Sequence, residues 1–151
     1  MKQKSNINQT QWVNKPIKEV FAFFKAASNL EQITPPYLQF KILNMDTEKI
    51  QKNSIINYQL KLYGVPFKWQ TKISDFVENK MFIDEQVIGP YKKWVHTHTF
   101  YEKDGGTLIC DHVDYTIPGG VFGNLVLGAL IRKDLAKIFK YRTDFIAEYF
   151  K

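Results

Sequence analysis

His98, Asp111 and His96 are the residues of this chain best suited to move a proton together, provided that strands bring them to one place. The segment Trp94-Val95-His96-Thr97-His98-Thr99-Phe100, read as an extended strand, puts Trp94, His96, His98 and Phe100 on one face. Two imidazoles then lie between two large aromatic rings. Apolar walls with a few fixed polar points are what the lining of a small-molecule pocket needs. Alternation sends Asp84 and Gln86 to one face of the preceding strand and Glu85 to the other, and the turn at Gly89-Pro90-Tyr91 decides which is inside. The reading adopted places Asp84 and Gln86 inward.

Asp104-Gly105-Gly106 predicts a tight hairpin. If it pairs Phe100 with Ile109, antiparallel counting sets His98 opposite Asp111, His96 opposite Val113 and Trp94 opposite Tyr115. A His98–Asp111 pair has two readings. One is a general base oriented by a carboxylate, with His96 as a further catalytic candidate. The other is a buried polar pair that orients a ligand or anchors the strand register. No nucleophile or oxyanion donor accompanies the pair, which favours the second. His-x-His with Asp111 or Asp84 could hold zinc or iron, but a third histidine or a helical glutamate is missing, so no metal and no cofactor are expected.

The elements that must position these groups follow from periodicity. Asn6 to Val13 reads as a first strand. Asn14 caps a helix with Pro16 in its first turn and Ile17, Val20, Phe21 and Phe24 as its apolar stripe. Ser28-Asn29-Leu30-Glu31 has capping-box spacing for a second short helix that Thr34-Pro35-Pro36 ends. From Tyr37 the period is two, through Leu38-Phe40-Ile42, Ile56-Tyr58-Leu60-Leu62 and Phe67-Trp69-Thr71-Ile73, with a turn around Tyr63-Gly64. Further strands run from Met81 to Ile88, Lys92 to Tyr101 and Thr107 to Ile117.

After Pro118-Gly119-Gly120 one helix extends to about Phe150, with Leu127, Ile131, Leu135, Ile138, Phe145 and Tyr149 as its apolar stripe. Val121 to Ile131 reads as a buried helix end, too short to span a bilayer, and as a weaker candidate for a membrane or protein contact. Gly128 inside the helix implies close approach of a strand or ligand, which places the cavity mouth near Gly119 to Gly128. Arg132 and Arg142 could reach an acidic ligand group, with solvent exposure as the default. The predicted architecture is α+β: a curved antiparallel sheet of roughly seven strands around the long C-terminal helix, with two short helices between strands 1 and 2.

Several of these segments together resemble a known family: Pro16 to Phe24 leading to Ile33-Thr34-Pro35-Pro36, Asp84-Glu85-Gln86 with Gly89-Pro90-Tyr91, the Trp94–Phe100 strand, and Asp111 to Pro118. They are similar to bacterial members of the START-like, or SRPBCC, superfamily, over nearly the whole chain. The resemblance implies the helix-grip fold with a hydrophobic cavity. It also implies a range of roles that includes lipid and hormone binding and polyketide cyclisation.

Length and composition bound the remainder. The 151 residues, 44% apolar, are expected to form one domain over 1–151. The net charge of +6 comes from scattered lysines, so no nucleic-acid partner is expected. One cysteine, Cys110, and no visible signal peptide at Met1 to Asn6 suggest a cytoplasmic protein. The expected function is binding of a small hydrophobic or amphipathic ligand in a cavity of roughly 300 to 1,000 Å³. Trp69, Trp94 and Tyr115 would serve as walls, and Asp84, Gln86, His96, His98 and Asp111 would fix the polar end. The alternative is an aromatase/cyclase-type enzyme acting on a polyketide-like substrate, with His98–Asp111 transferring the proton. No stable membrane insertion is expected, and the chain would be a monomer or homodimer.

Overall fold

In the computed structural model, which describes residues 4–151, seven strands form one antiparallel sheet in the order β1-β7-β6-β5-β4-β3-β2. The leader reading of Met1 to Gln3 lies outside the described residues. The strands are β1 (Ser5–Val13), β2 (Lys41–Met45), β3 (Ile55–Leu62), β4 (Val65–Val77), β5 (Met81–Ile88), β6 (Lys93–Lys103) and β7 (Gly106–Thr116). Helix α1 (Ile17–Lys25) follows β1, and α2 (Gly120–Tyr149) ends the chain. This is the α+β helix-grip arrangement. No helix among the described residues is long and apolar enough to cross a membrane.

Two hairpins set the register on which the site depends. Asp104 and Gly105 (φ 50° and 76°) both occupy the left-handed region, as do Tyr63 and Gly64 (φ 53° and 76°), which is the two-residue turn whose twist matches that of paired strands. The Asp104-Gly105 turn places Phe100 opposite Ile109, His98 opposite Asp111, His96 opposite Val113 and Trp94 opposite Tyr115. Asp84 of β5 falls opposite His96 from the other side. Gly106 sits where β7 leaves this turn beside the end of β1, and a Cβ there would lie 2.3 Å from the Val13 carbonyl oxygen.

The segment between β1 and β2 departs from expectation. Asn14 does not cap α1; the carbonyl of Pro16 accepts the first helical N–H groups, from Glu19 and Val20. The second short helix is two separate 3-10 turns, Ala27–Leu30 and Pro36–Leu38. Glu31 does not reach back to Ser28; its Oε1 accepts the Ile42 N–H at 3.0 Å and so ties this segment to β2. Gln39 in the left-handed region delays β2 until Lys41, short of the Tyr37 start expected.

The long helix is rotated from the expected stripe. Its buried positions are Gly128, Leu135, Phe139, Arg142 and Ile146, whereas Leu127 and Tyr149 are exposed. Leucine and isoleucine on several sides left two apolar phases open, and packing on the sheet selected the phase that contains an arginine. Nor is Val121 to Ile131 a buried end: Val121, Phe122, Leu125, Val126, Leu127 and Leu130 stand exposed. Gly128 faces its own helix, with Asn124 and Arg132 side-chain atoms nearest to where a Cβ would be, so neither strand nor ligand explains it.

Candidate functional site

β5, β6 and β7 deliver four side chains to the inner face, and α2 delivers a fifth. The backbone places Asp84 opposite His96 and His98 opposite Asp111, yet the short hydrogen bonds run on the diagonals. His96 Nε2 pairs with Asp111 Oδ1 at 2.7 Å, and His98 Nε2 with Asp84 Oδ2 at 2.5 Å. His98 and Asp111 do face one another as strand counting expected, with His98 Nδ1 3.4 Å from Asp111 Oδ1, but the shorter partner of His98 is Asp84. An imidazole reaches further from the strand than a carboxylate, so each ring passes its direct neighbour and meets the acid two residues along. The two rings stack with centroids 3.6 Å apart, and Phe82 stacks on His98 from the other side at 4.1 Å.

Arg142 completes the cluster. Its Nη2 donates to Asp111 Oδ1 at 3.2 Å and stands 3.3 Å from His98 Nδ1, to which it donates only while that nitrogen carries no proton, and its guanidinium lies 5.2 Å over the Phe24 ring. Among the described residues, Arg142 Nε is the one buried side-chain polar atom without a partner. The expected solvent exposure of Arg142 is overturned: it is 8% exposed. The signal that finds it is its position three residues after Phe139 and four before Ile146, which puts it on the buried stripe.

The electrostatics follow from burial and pairing. Burial alone would raise both acids. For Asp84 the charges and hydrogen bonds of His96 and His98 reverse this, and for Asp111 chiefly Arg142 does, so both carboxyls sit below their ordinary value, Asp111 well below. Burial, aided by the charge of His98, lowers His96 to about 4. Burial also opposes charge on His98, but its hydrogen bonds to Asp111 and Asp84 win and raise it. Two carboxylates are thus set against one guanidinium and against His98, whose protonated form they favour. A buried cluster of this kind persists because each carboxylate is in contact with a group that carries positive charge or can take it up, although Arg142 Nε has no partner of its own.

One donor atom each from Asp84, His96 and His98 lies within 4.8 Å of the others, the spacing of a metal triad. Face-to-face stacking, however, runs the in-plane lone pairs of the two rings side by side instead of toward one point. A shared ion would require one ring to turn out of the stack.

The cluster borders an internal cavity of about 190 Å³, smaller than the size expected of a small-molecule pocket. Asp84, His96, His98 and Arg142 line it, and so do Trp69 and Trp94, beside Phe24, Tyr58, Leu60 and Phe82. Trp69 Nε1–H donates to Thr71 Oγ1 at 3.1 Å within the wall. The part of α2 that lines the cavity is Leu135 to Arg142, not the Gly119–Gly128 stretch where the mouth was expected. Three of the sequence candidates lie elsewhere. Asp111 stands behind the imidazoles. Gln86 donates to the Tyr91 carbonyl at 2.7 Å and accepts the Tyr91 N–H at 3.2 Å, which pins the Gly89–Tyr91 turn. Tyr115 packs with Leu135 and Phe139 and faces an open polar groove between β1 and α2.

Residues 13–139 match the family described as polyketide cyclase / dehydrase and lipid transport. The chain belongs to this family. It thereby falls in the START-like, or SRPBCC, superfamily to which the resemblance pointed. No curated protein matches the chain. Among solved structures it is similar to Zhui aromatase/cyclase from a Streptomyces species (13% identity, TM-score 0.75, 97% of this chain and 93% of that one). It is also similar to protein TTHA0849 from Thermus thermophilus (16% identity, TM-score 0.69, 95% of each chain). A third similar structure is major latex-like protein 151 from Panax ginseng (13% identity, TM-score 0.71, 98% of each chain). At these identities the likeness is one of fold.

Proposed function

We propose that this member of the polyketide cyclase / dehydrase and lipid transport family binds a small hydrophobic or amphipathic molecule in its internal cavity. The observation that carries this reading is an apolar-walled cavity of about 190 Å³ whose charged lining is gathered at one spot, Asp84, His96, His98 and Arg142. Aromatic walls supply affinity through removal of apolar surface from water, and the charged spot orients a polar end. The volume is below the range that buries a drug-sized ligand, which sizes the occupant as a compact molecule. Because Asp84 and Asp111 already set two carboxylates beside Arg142 and the imidazoles, a neutral oxygen acceptor suits the spot better than a further anion. A saturable signal from an environment-sensitive apolar dye tests this reading. Ala27→Phe, which fills the cavity from its wall, is expected to abolish that signal with circular dichroism unchanged. Equal dye binding in a folded Ala27→Phe protein would refute it.

A second reading is favoured by the short His98–Asp84 pair on the cavity wall. An imidazole held there by a carboxylate can shuttle a proton to or from a carbonyl chain, as an aromatase/cyclase-type reaction on a polyketide-like substrate requires. In this reading His98 is the proton carrier, Asp84 its direct partner and Asp111 its orienting neighbour. His98→Gln would then end turnover of a poly-β-ketone substrate while dye uptake persists. No turnover by the native protein would remove this reading and leave the first intact.

A further inference from the structure

The antiparallel order gathers one end of the sheet at the start of α2. Tyr115 and Thr116 at the end of β7 pair with Trp94 and Lys93 at the start of β6, and Leu62 pairs with Val65 across the β3–β4 turn. Between Gly120 and Ile131 no residue is charged. Even so, Val121, Phe122, Leu125, Val126, Leu127 and Leu130 are exposed, Phe122 and Leu125 at 76% each. Tyr63, Val65 and Ile88 stand exposed on the neighbouring turns at the same end. Scattered single apolar residues on a surface need no explanation, but six within ten residues of one helix do.

The charges around this patch indicate what covers it. Lys61, Lys68, Lys92, Lys93, Arg132 and Lys133 are exposed in the stretches 61–68, 88–93 and 118–134, and Asp134 is the one acidic residue in those stretches. A second copy packed patch to patch would set these cations against their own images. An anionic bilayer is the complementary surface: its headgroups attract the lysines, and its acyl boundary accepts Phe122 and Leu125. The cavity extends toward this end, where Leu62, Tyr91 and Trp94 are among its partly exposed lining residues.

We propose that the first third of α2, with the β3–β4 turn and the β5–β6 loop, docks the protein on an anionic phospholipid surface. Docking brings the Leu62–Tyr91–Trp94 end of the cavity toward the lipid. The helix lies in the interface and does not cross it, in keeping with its length and composition. The docking extends the cavity reading by naming where an apolar ligand is collected, and it does not depend on that reading, because vesicle binding is measured with no ligand added.

The test is co-sedimentation of the full chain with phosphatidylcholine vesicles that contain about 30% phosphatidylglycerol, at low salt. The native protein is expected to bind, with partitioning at least about tenfold weaker to phosphatidylcholine alone or in about 0.5 M salt. Phe122→Glu/Leu125→Glu is expected to lose at least about tenfold in partitioning. Thermal unfolding and dye uptake in solution should stay unchanged, since neither side chain is buried or lines the cavity. Absence of native binding, or equal binding by the double variant, overturns the proposal. A native dimer that fails to bind vesicles and that the double variant dissociates overturns it too, and assigns the patch to a second copy.

Discussion

At the scale of residues, the buried cluster sets the strongest dependences of this protein on substitution and pH. Arg142→Met removes the cation that holds Asp111 as a carboxylate and is expected to destabilise the fold by about 3–5 kcal/mol in urea unfolding. Arg142→Met/Asp111→Asn, which removes both charges, should recover much of that loss; additive losses would show that the pair is not coupled. The pH dependence has a definite sign. His96 has its folded pKa depressed to about 4 from an ordinary 6.5, so as pH falls below 6.5 the unfolded chain takes up a proton that the folded one refuses. Stability is therefore expected to fall between pH 6.5 and about 4, by a few kcal/mol, before the carboxylates protonate. His98, with its pKa raised, contributes stability that is complete below pH 6.5 and lost as pH climbs through its folded value. Denaturant unfolding across pH should show His96→Gln flattening the acid limb; an unaltered limb would put the acid sensitivity elsewhere.

At the scale of elements, two glycines make opposite predictions. Gly106→Ala places a Cβ 2.3 Å from the Val13 carbonyl oxygen and 2.7 Å from the Trp12 ring, at the junction of β1 and β7. Backbone cannot swing aside, so a loss of about 1–3 kcal/mol in unfolding free energy is expected. Gly128→Ala meets only the ends of Asn124 and Arg132, which can rotate away. Helix propensity then dominates, and a gain of up to about 1 kcal/mol is expected, read as a higher midpoint of thermal unfolding. In the sequence Gly106 reads as part of a turn and Gly128 as a break within a helix, and neither reading gives the sign of its substitution. What the fold packs against each of them decides it.

At the scale of the whole molecule, the order of strands and the pairing of β6 with β7 were legible because two local codes agreed: period-two apolar residues and a turn whose two residues accept positive φ. The imidazole face and its neighbourhood to Asp111 followed from that register, whereas the inward placing of Asp84 was a choice between two faces that strand counting left open. Three features were not legible, and each depends on contact between distant segments. The phase of α2 was ambiguous because apolar residues occupy more than one face, and docking on the sheet chose the face that buries Arg142. The diagonal His96–Asp111 and His98–Asp84 bonds depend on side-chain reach across three twisted strands, which strand counting does not describe. The exposure of Phe122 and Leu125 depends on which segments pack beside the start of α2. The sequence by itself therefore determined the elements, their antiparallel pairing and the two histidines of the inner face, because local propensity and alternation specify these over short distances. Only the tertiary structure decided which acid serves which imidazole, that an arginine completes the cluster, and which part of α2 stays wet, because these are set by packing between elements far apart in the chain.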